Sequence, residues 1–233
     1  MRSKCWGSSS QGQLGQGGGG DVNRGDAPNE MGVKLSSVDL GAGWTTVEVA
    51  AGKYHTCARL EKGAARALKC WGGNSYGQLG LGDTNHRGDT FEEMGDSLPA
   101  VQLGTGRSAV AVALGDYHTC ALLDDATVKC WGYNLWGELG QGDKKQRGIW
   151  DGEMGDNLPA VDLGFGRTAV QLAAGSVHSC ALLDDGHMYA PPCPRWVASP
   201  RRVWVAPMGR EGDAWREGEG WLRLCGPASR RAL

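Results

Sequence analysis

"HTCALLDDATVKCWGYNLWGELGQGD", residues 118–143, sets two short apolar runs on either side of an acidic turn and follows them with a glycine-rich loop. Runs of this length, rich in Val, Leu and Ala and bounded by Gly and Asp, read as strands rather than helices. A tight turn near Asp125 then sets Cys120 and Cys130 opposite each other on neighbouring antiparallel strands. The same order recurs along the chain. "KCWG" stands at 4, 69 and 129, and laying residues 70–129 over 130–189 needs no gap and gives 34 identities in 60 positions. The first unit, 5–69, has five more residues, two in the glycine run before "NRGD" and three between "HTCARL" and "LKCWG", where turns are expected.

A repeat of this kind dictates the architecture. In the second unit the apolar runs are "AVQL", "SAVAVAL" and "HTCALL", with "TVKCWG" after the Asp-rich turn. Four short strands per unit make one propeller blade. The expected fold is therefore all-β, a partial β-propeller of about three four-stranded blades near 34–72, 98–132 and 158–185. The third blade is expected to lack its last strand, because the pattern stops at Gly186 and "MYAPP" stands where "VKCWG" belongs.

The coordinated motifs "HxC", "CWG" and "GxLGxGD" resemble the repeat of the regulator-of-chromosome-condensation family over residues 4–186. Its cysteine-bearing "HxC…CWG" form is similar to repeats of secreted and receptor ectodomain members. The resemblance implies a propeller, seven-bladed as the family norm, whose loops bind a protein partner. It also implies, as an alternative, guanine-nucleotide exchange on the small GTPase Ran with chromatin association. That activity goes with a full propeller and an inserted β-hairpin wedge, which two ungapped units do not accommodate.

Composition bounds the rest. The chain has 233 residues with 24 basic and 26 acidic side chains, so no basic footprint points to nucleic acid or an acidic membrane. No apolar run approaches the roughly 18 residues that span a bilayer, and the first residues lack the apolar segment of a secretory signal. Localisation stays unknown, with an extracellular origin open if a leader precedes residue 1.

The cysteines are read as two pairs, Cys57–Cys70 and Cys120–Cys130, with small buried thiols as the other reading. Cys5 and Cys180 are weaker candidates, each half of a repeat pair. Trp6, Trp71 and Trp131 are expected to pack between blades, and Tyr76 and Trp136 to lie in a partner-binding loop. His55, His118 and His178 recur two residues before a Cys and read as strand-end hydrogen-bonders rather than a metal ring. Arg24–Asp26 and Arg87–Asp89 spell "RGD", but the third unit has "RGI", so a structural turn is the better reading. No catalytic residue, metal ligand set or cofactor is expected.

Residues 187–233 change character, with 8 Arg, no Lys, 6 of the 9 Pro and 4 of the 10 Trp. They read as a low-order tail, either an out-of-frame peptide or an Arg/Trp arm for an acidic surface. Three functions follow: a non-catalytic interaction module that is part of a larger protein, a Ran-type exchange factor, or a truncated product without a function of its own. Open blade edges also suggest self-association.

Overall fold

The computed structural model describes residues 3–18 and 22–184 and the two-residue strand Met188–Tyr189. The chain divides into two compact units, Met1–Pro191 and Pro192–Leu233. The second, and with it nearly all of the expected tail, lies outside the described residues.

Each repeat makes one antiparallel sheet. The first sheet is β1 (Thr45–Ala51), β2 (His55–Lys62) and β3 (Ala65–Gly72). The second is β4 (Ala109–Leu114), β5 (His118–Leu123) and β6 (Val128–Gly132). The third is β7 (Ala169–Gly175), β8 (His178–Leu183) and β9 (Met188–Tyr189). Strands pair in chain order in all three.

Two expectations are corrected here. Each sheet has three strands rather than four, because "AVQL" and its equivalents do not form ladders. These runs are extended chain, and each makes one hydrogen bond to the sheet before it: Val101 N–H to Leu68 O at 2.8 Å and Val161 N–H to Val128 O at 2.7 Å. Pro99 and Pro159 lack an N–H, and glycine turns follow within five residues, so too little chain remains for a ladder. The run at the start of each expected blade thus finishes the outer edge of the preceding sheet. The third sheet, for its part, keeps a remnant of its last strand, since Ala181 pairs with Tyr189 and Leu182 with Met188.

Register explains much of the patterning. Every first strand carries a bulge, at Thr46/Glu48, Ala109/Ala111 and Ala169/Gln171. The residue passed over is a valine in each case, and Val47, Val110 and Val170 are all exposed. A bulge of this kind adds local twist to a strand.

The core lies between sheets rather than within one. One cluster joins Leu40, Leu60, Trp71, Met94 and Leu98; the next joins Cys57, Leu79, Leu103, Leu123, Trp131, Met154 and Leu158. A third, around Cys120, Leu139, Leu163 and Ala181, contains neither a Trp nor a Met among the described residues. Covered on both faces, β5 is buried at all six residues, whereas β8 is exposed at His178 and only half-buried at Ser179 and Cys180.

Candidate interaction face

Neighbouring sheets are clasped by a recurring hydrogen-bond unit. The carbonyl of Gln13 accepts from Thr56 Oγ1 at 2.8 Å and from Trp71 Nε1 at 3.0 Å. One repeat later Gln78 O accepts from Thr119 Oγ1 at 2.8 Å and Trp131 Nε1 at 3.0 Å. Trp71 and Trp131 are fully buried, and each indole lies over a glycine with positive φ, Gly15 and Gly80. A Cβ on either glycine would stand 2.7 Å from the indole nitrogen, so only glycine leaves the space. Trp6 differs, being 62% exposed.

The histidines extend this clasp. His55 and His118 are buried, and their Nε2 atoms lie 2.8 Å from Thr119 Oγ1 and 3.0 Å from Ser179 Oγ on the following sheet. Those hydroxyls spend their only proton on Gln78 O and Glu138 O, so each imidazole donates through Nε2 and is neutral. Burial, with the neighbouring histidine adding to it, pushes His55 down to about 3 and His118 down to about 4. His178 is exposed on the last sheet. Among the described residues no group of three His, Cys, Asp or Glu is placed to hold a metal.

Register sets Cys57 opposite Cys70 and Cys120 opposite Cys130, and both pairs are bonded, with S–S distances of 2.12 and 2.09 Å. Cys5 and Cys180 are half-buried at the two ends of the array. Burial pushes the Cys5 thiol up to about 11. The sequence has Ala190 where the other two sheets have the second cysteine of a pair, and that residue lies outside the described set.

The glycine-rich loops are built as tightly as the strands. Gly72 bridges Arg87 and Gly132 bridges Arg147, as Gly7 bridges Arg24. Arg87 is held by Asp83 at 2.7 Å and Arg147 by Asp143 at 2.9 Å. The buried Asn74 and Asn134 cross-link the same loops, each donating to an aspartate carbonyl. The guanidinium of the second "RGD" is thus committed to holding its own loop.

What the loops display is aromatic. Because His55 pairs with Gly72 and His118 with Gly132, the first turn of each sheet and the exit of its third strand share one end. Tyr54 and Tyr117 from the turns stack with ring centroids 4.9 Å apart. Tyr76 meets Tyr117 edge-on at 5.1 Å and Tyr133 at 4.8 Å. Lys53 sits over the Tyr54 ring at 5.0 Å and pairs with Asp116 at 3.4 Å. A hydrogen bond between the Tyr54 and Tyr117 hydroxyls, with Lys53 beside Tyr54, holds the Tyr54 phenol below its usual range and the Tyr117 phenol above it. Leu135 and Trp136 are both exposed in the loop that follows Tyr133.

Sequence reasoning had singled out Tyr76 and Trp136 but not Tyr54, Tyr117 or Tyr133. The missed signal was "YH", tyrosine directly before the repeated histidine in two units. Trp136 makes none of the tyrosine ring contacts and stands apart as an exposed side chain.

The fold has known counterparts. Models of the regulator of chromosome condensation (RCC1) repeat match residues 47–78, 70–122 and 109–141. The ultraviolet-B receptor UVR8 of Arabidopsis thaliana is 31% identical over 79% of this chain and 36% of the receptor. The human probable E3 ubiquitin-protein ligase HERC6 is 32% identical over 76% of this chain and 15% of the ligase. This chain thus spans well under half the length of these relatives. Yeast RCC1 (Prp20), solved with Kap60, superimposes with a TM-score of 0.54 at 19% identity, covering 79% of this chain and 38% of that one. With the repeat models matched across two successive units and the propeller architecture shared, residues 47–141 are RCC1-type repeats.

Proposed function

We propose that the repeats form a non-catalytic protein-binding module, part of a larger propeller, with the tyrosine cluster as its contact face. The observation that carries this reading is the continuous aromatic path Tyr54–Tyr117–Tyr76–Tyr133 at one end of two sheets, beside the exposed Leu135 and Trp136. Tyr and Trp supply large contact areas at low entropic cost and dominate binding energy at interfaces. The Lys53–Asp116 pair gives the patch a polar rim. The loops bring Ser75 Oγ within 3.3 Å of His86 Nε2, but that contact is exposed and the next unit has Leu135 and Gln146 in the same places. The repetition of the other loop side chains in successive units suits a surface better than an active site.

The test is affinity capture followed by mass spectrometry, comparing the parent chain with Tyr117→Ala, Trp136→Ala and the control Phe165→Ala, which is fully exposed. A partner lost by the first two and kept by the control is expected; equal capture by all four sinks this reading. A Ran nucleotide-release assay separates it from the exchange-factor reading, with no acceleration expected.

A further inference from the structure

We propose that Tyr54 and Tyr117 form an oxidative cross-linking site, at which hydrogen peroxide, activated by a haem peroxidase, joins the two rings through a carbon–carbon bond and fastens the first sheet to the second. The pair exists because tyrosine stands directly before the repeated histidine in two successive units; the third unit has Val177 in that place. Each tyrosine sits in a turn closed by the same backbone bond, Gly52 N–H to His55 O and Gly115 N–H to His118 O, both at 2.9 Å. Each is also tied to the loop after the third strand. Tyr54 O accepts from Gly73 N–H at 2.7 Å, and Tyr117 O from Tyr133 N–H at 2.9 Å. The two turns pack so closely that a Cβ on Gly52 would stand 2.6 Å from Gly115 O. Fixed backbone thus presents both side chains, and both are half-buried, with part of each ring open to solvent.

Ring geometry selects this pair among the four tyrosines of the cluster. The unpaired electron of a phenoxyl radical lies in the π system, with much of it on the carbons beside the hydroxyl, so coupling needs rings that face each other. Tyr54 and Tyr117 do so, with centroids 4.9 Å apart and planes 20° from parallel. Tyr76 meets Tyr117 at 77° and Tyr133 at 63°, which sets an edge against a face. The hydrogen bond between the Tyr54 and Tyr117 hydroxyls keeps those ends of the rings together, and with them the carbons that couple. Groups held in contact in the right orientation react as if at very high concentration.

The step consumes one peroxide per link. Each phenol gives up an electron and its hydroxyl proton, and the two ring carbons join. Each joined carbon then releases its hydrogen as a proton while the oxygen beside it takes one up, which restores both aromatic phenols. The two electrons and two protons lost overall split the O–O bond of the peroxide and leave two waters. Both disulfides lie within a sheet, Cys57–Cys70 in the first and Cys120–Cys130 in the second. Bonded thiols persist in oxidising surroundings, which are those the tyrosine link also requires. Among the described residues no disulfide joins one sheet to another, and the tyrosine link supplies a covalent tie there. It needs no bound partner and stands apart from the protein-binding reading.

The test treats the full chain, dilute and with its disulfides intact, with a haem peroxidase and equimolar hydrogen peroxide. The monomer mass should fall by two hydrogen atoms, the blue emission of linked tyrosine should appear, and after reduction the tryptic peptides 54–59 and 108–129 should be found joined. Tyr54→Phe and Tyr117→Phe keep a ring in place but remove one phenol each, and neither should give this link. Tyr76→Phe and Tyr133→Phe should give it as the parent does. A parent chain without the joined peptides, coupling only between separate chains, or a link from Tyr117 to Tyr76 or Tyr133 in place of Tyr54 overturns the proposal.

Discussion

His55 Nε2 lies 2.8 Å from Thr119 Oγ1 across the gap between the first and second sheets, and that hydroxyl passes its own proton to Gln78 O. The donor role this imposes leaves His55 Nδ1 buried without a hydrogen-bond partner among the described residues. A proton added there would be a charge in a desolvated site. The fold therefore holds His55 and His118 neutral, the first down to about 3 and the second down to about 4. In the unfolded chain both bind protons near pH 6.5. Between that pH and about 4 the unfolded state carries more protons, so stability falls as the solution is acidified. Each histidine contributes a slope of about 1.4 kcal/mol per pH unit there. Urea midpoints measured from pH 7.5 to 4.5 should fall, and the fall should be shallower in His118→Gln; a flat profile would rule out buried neutral imidazoles.

The indole clasp makes a graded prediction. Trp131→Phe keeps most of the apolar volume but leaves Gln78 O with only the Thr119 hydroxyl, so a loss of about 1 kcal/mol is expected. Trp131→Ala also empties the space beside Met154 and should cost about 3–5 kcal/mol. Chemical denaturation of the two variants checks the order. Equal losses would mean that the hydrogen bond contributes nothing.

The repeat was legible because the residues that define it are those no other side chain replaces: glycines at positive φ under an indole, paired cysteines in register, and Asn–Asp–Arg cross-links in the loops. The strand count was less legible. "AVQL" has strand-like composition, but proline and glycine on either side limit it to one bond with the preceding sheet. Composition does not report such flanking limits unless they are weighed with the run. The tyrosine cluster was hidden for another reason. Its members come from turns and strand exits that are distant in sequence, such as Tyr54 and Tyr117, and only the shared end of two sheets brings them together.

Each disulfide closes a short loop, with sequence separations of 13 and 10. Chain-entropy arguments give about 3 kcal/mol for a closed loop of this size. Cys120→Ala/Cys130→Ala should lower stability by about that amount or more, since the sulfur atoms also fill a core that would then be underpacked. Thiol titration of the parent chain, unfolded without reductant, should find the four paired cysteines unreactive until reductant is added. Immediate reaction of all eight would mean the pairs are not formed in the protein as isolated.

Lys69 and Lys129 are buried lysines, each with its ammonium shared between two backbone carbonyls: Leu40 and Gly95 for the first, Leu103 and Gly155 for the second. Each ties the last strand of a sheet to the extended run before it and to the loop after it, so the contact spans three segments. Methionine at Lys129 matches the length of the side chain and removes all its donors, leaving both carbonyls without the ammonium. A charged hydrogen-bond pair of this kind is worth about 1.5–3 kcal/mol, and Lys129→Met should lose stability in that range. Removing Lys4, which makes the equivalent bond from a half-open position, should cost less, because solvent replaces the lost donor. Hydrogen exchange locates the effect: in Lys129→Met the Gly155 amide should lose protection, since its bond to Gln102 O at 3.0 Å joins the same run and loop. Protection unchanged at Gly155 would show that the ammonium does not hold those segments in place.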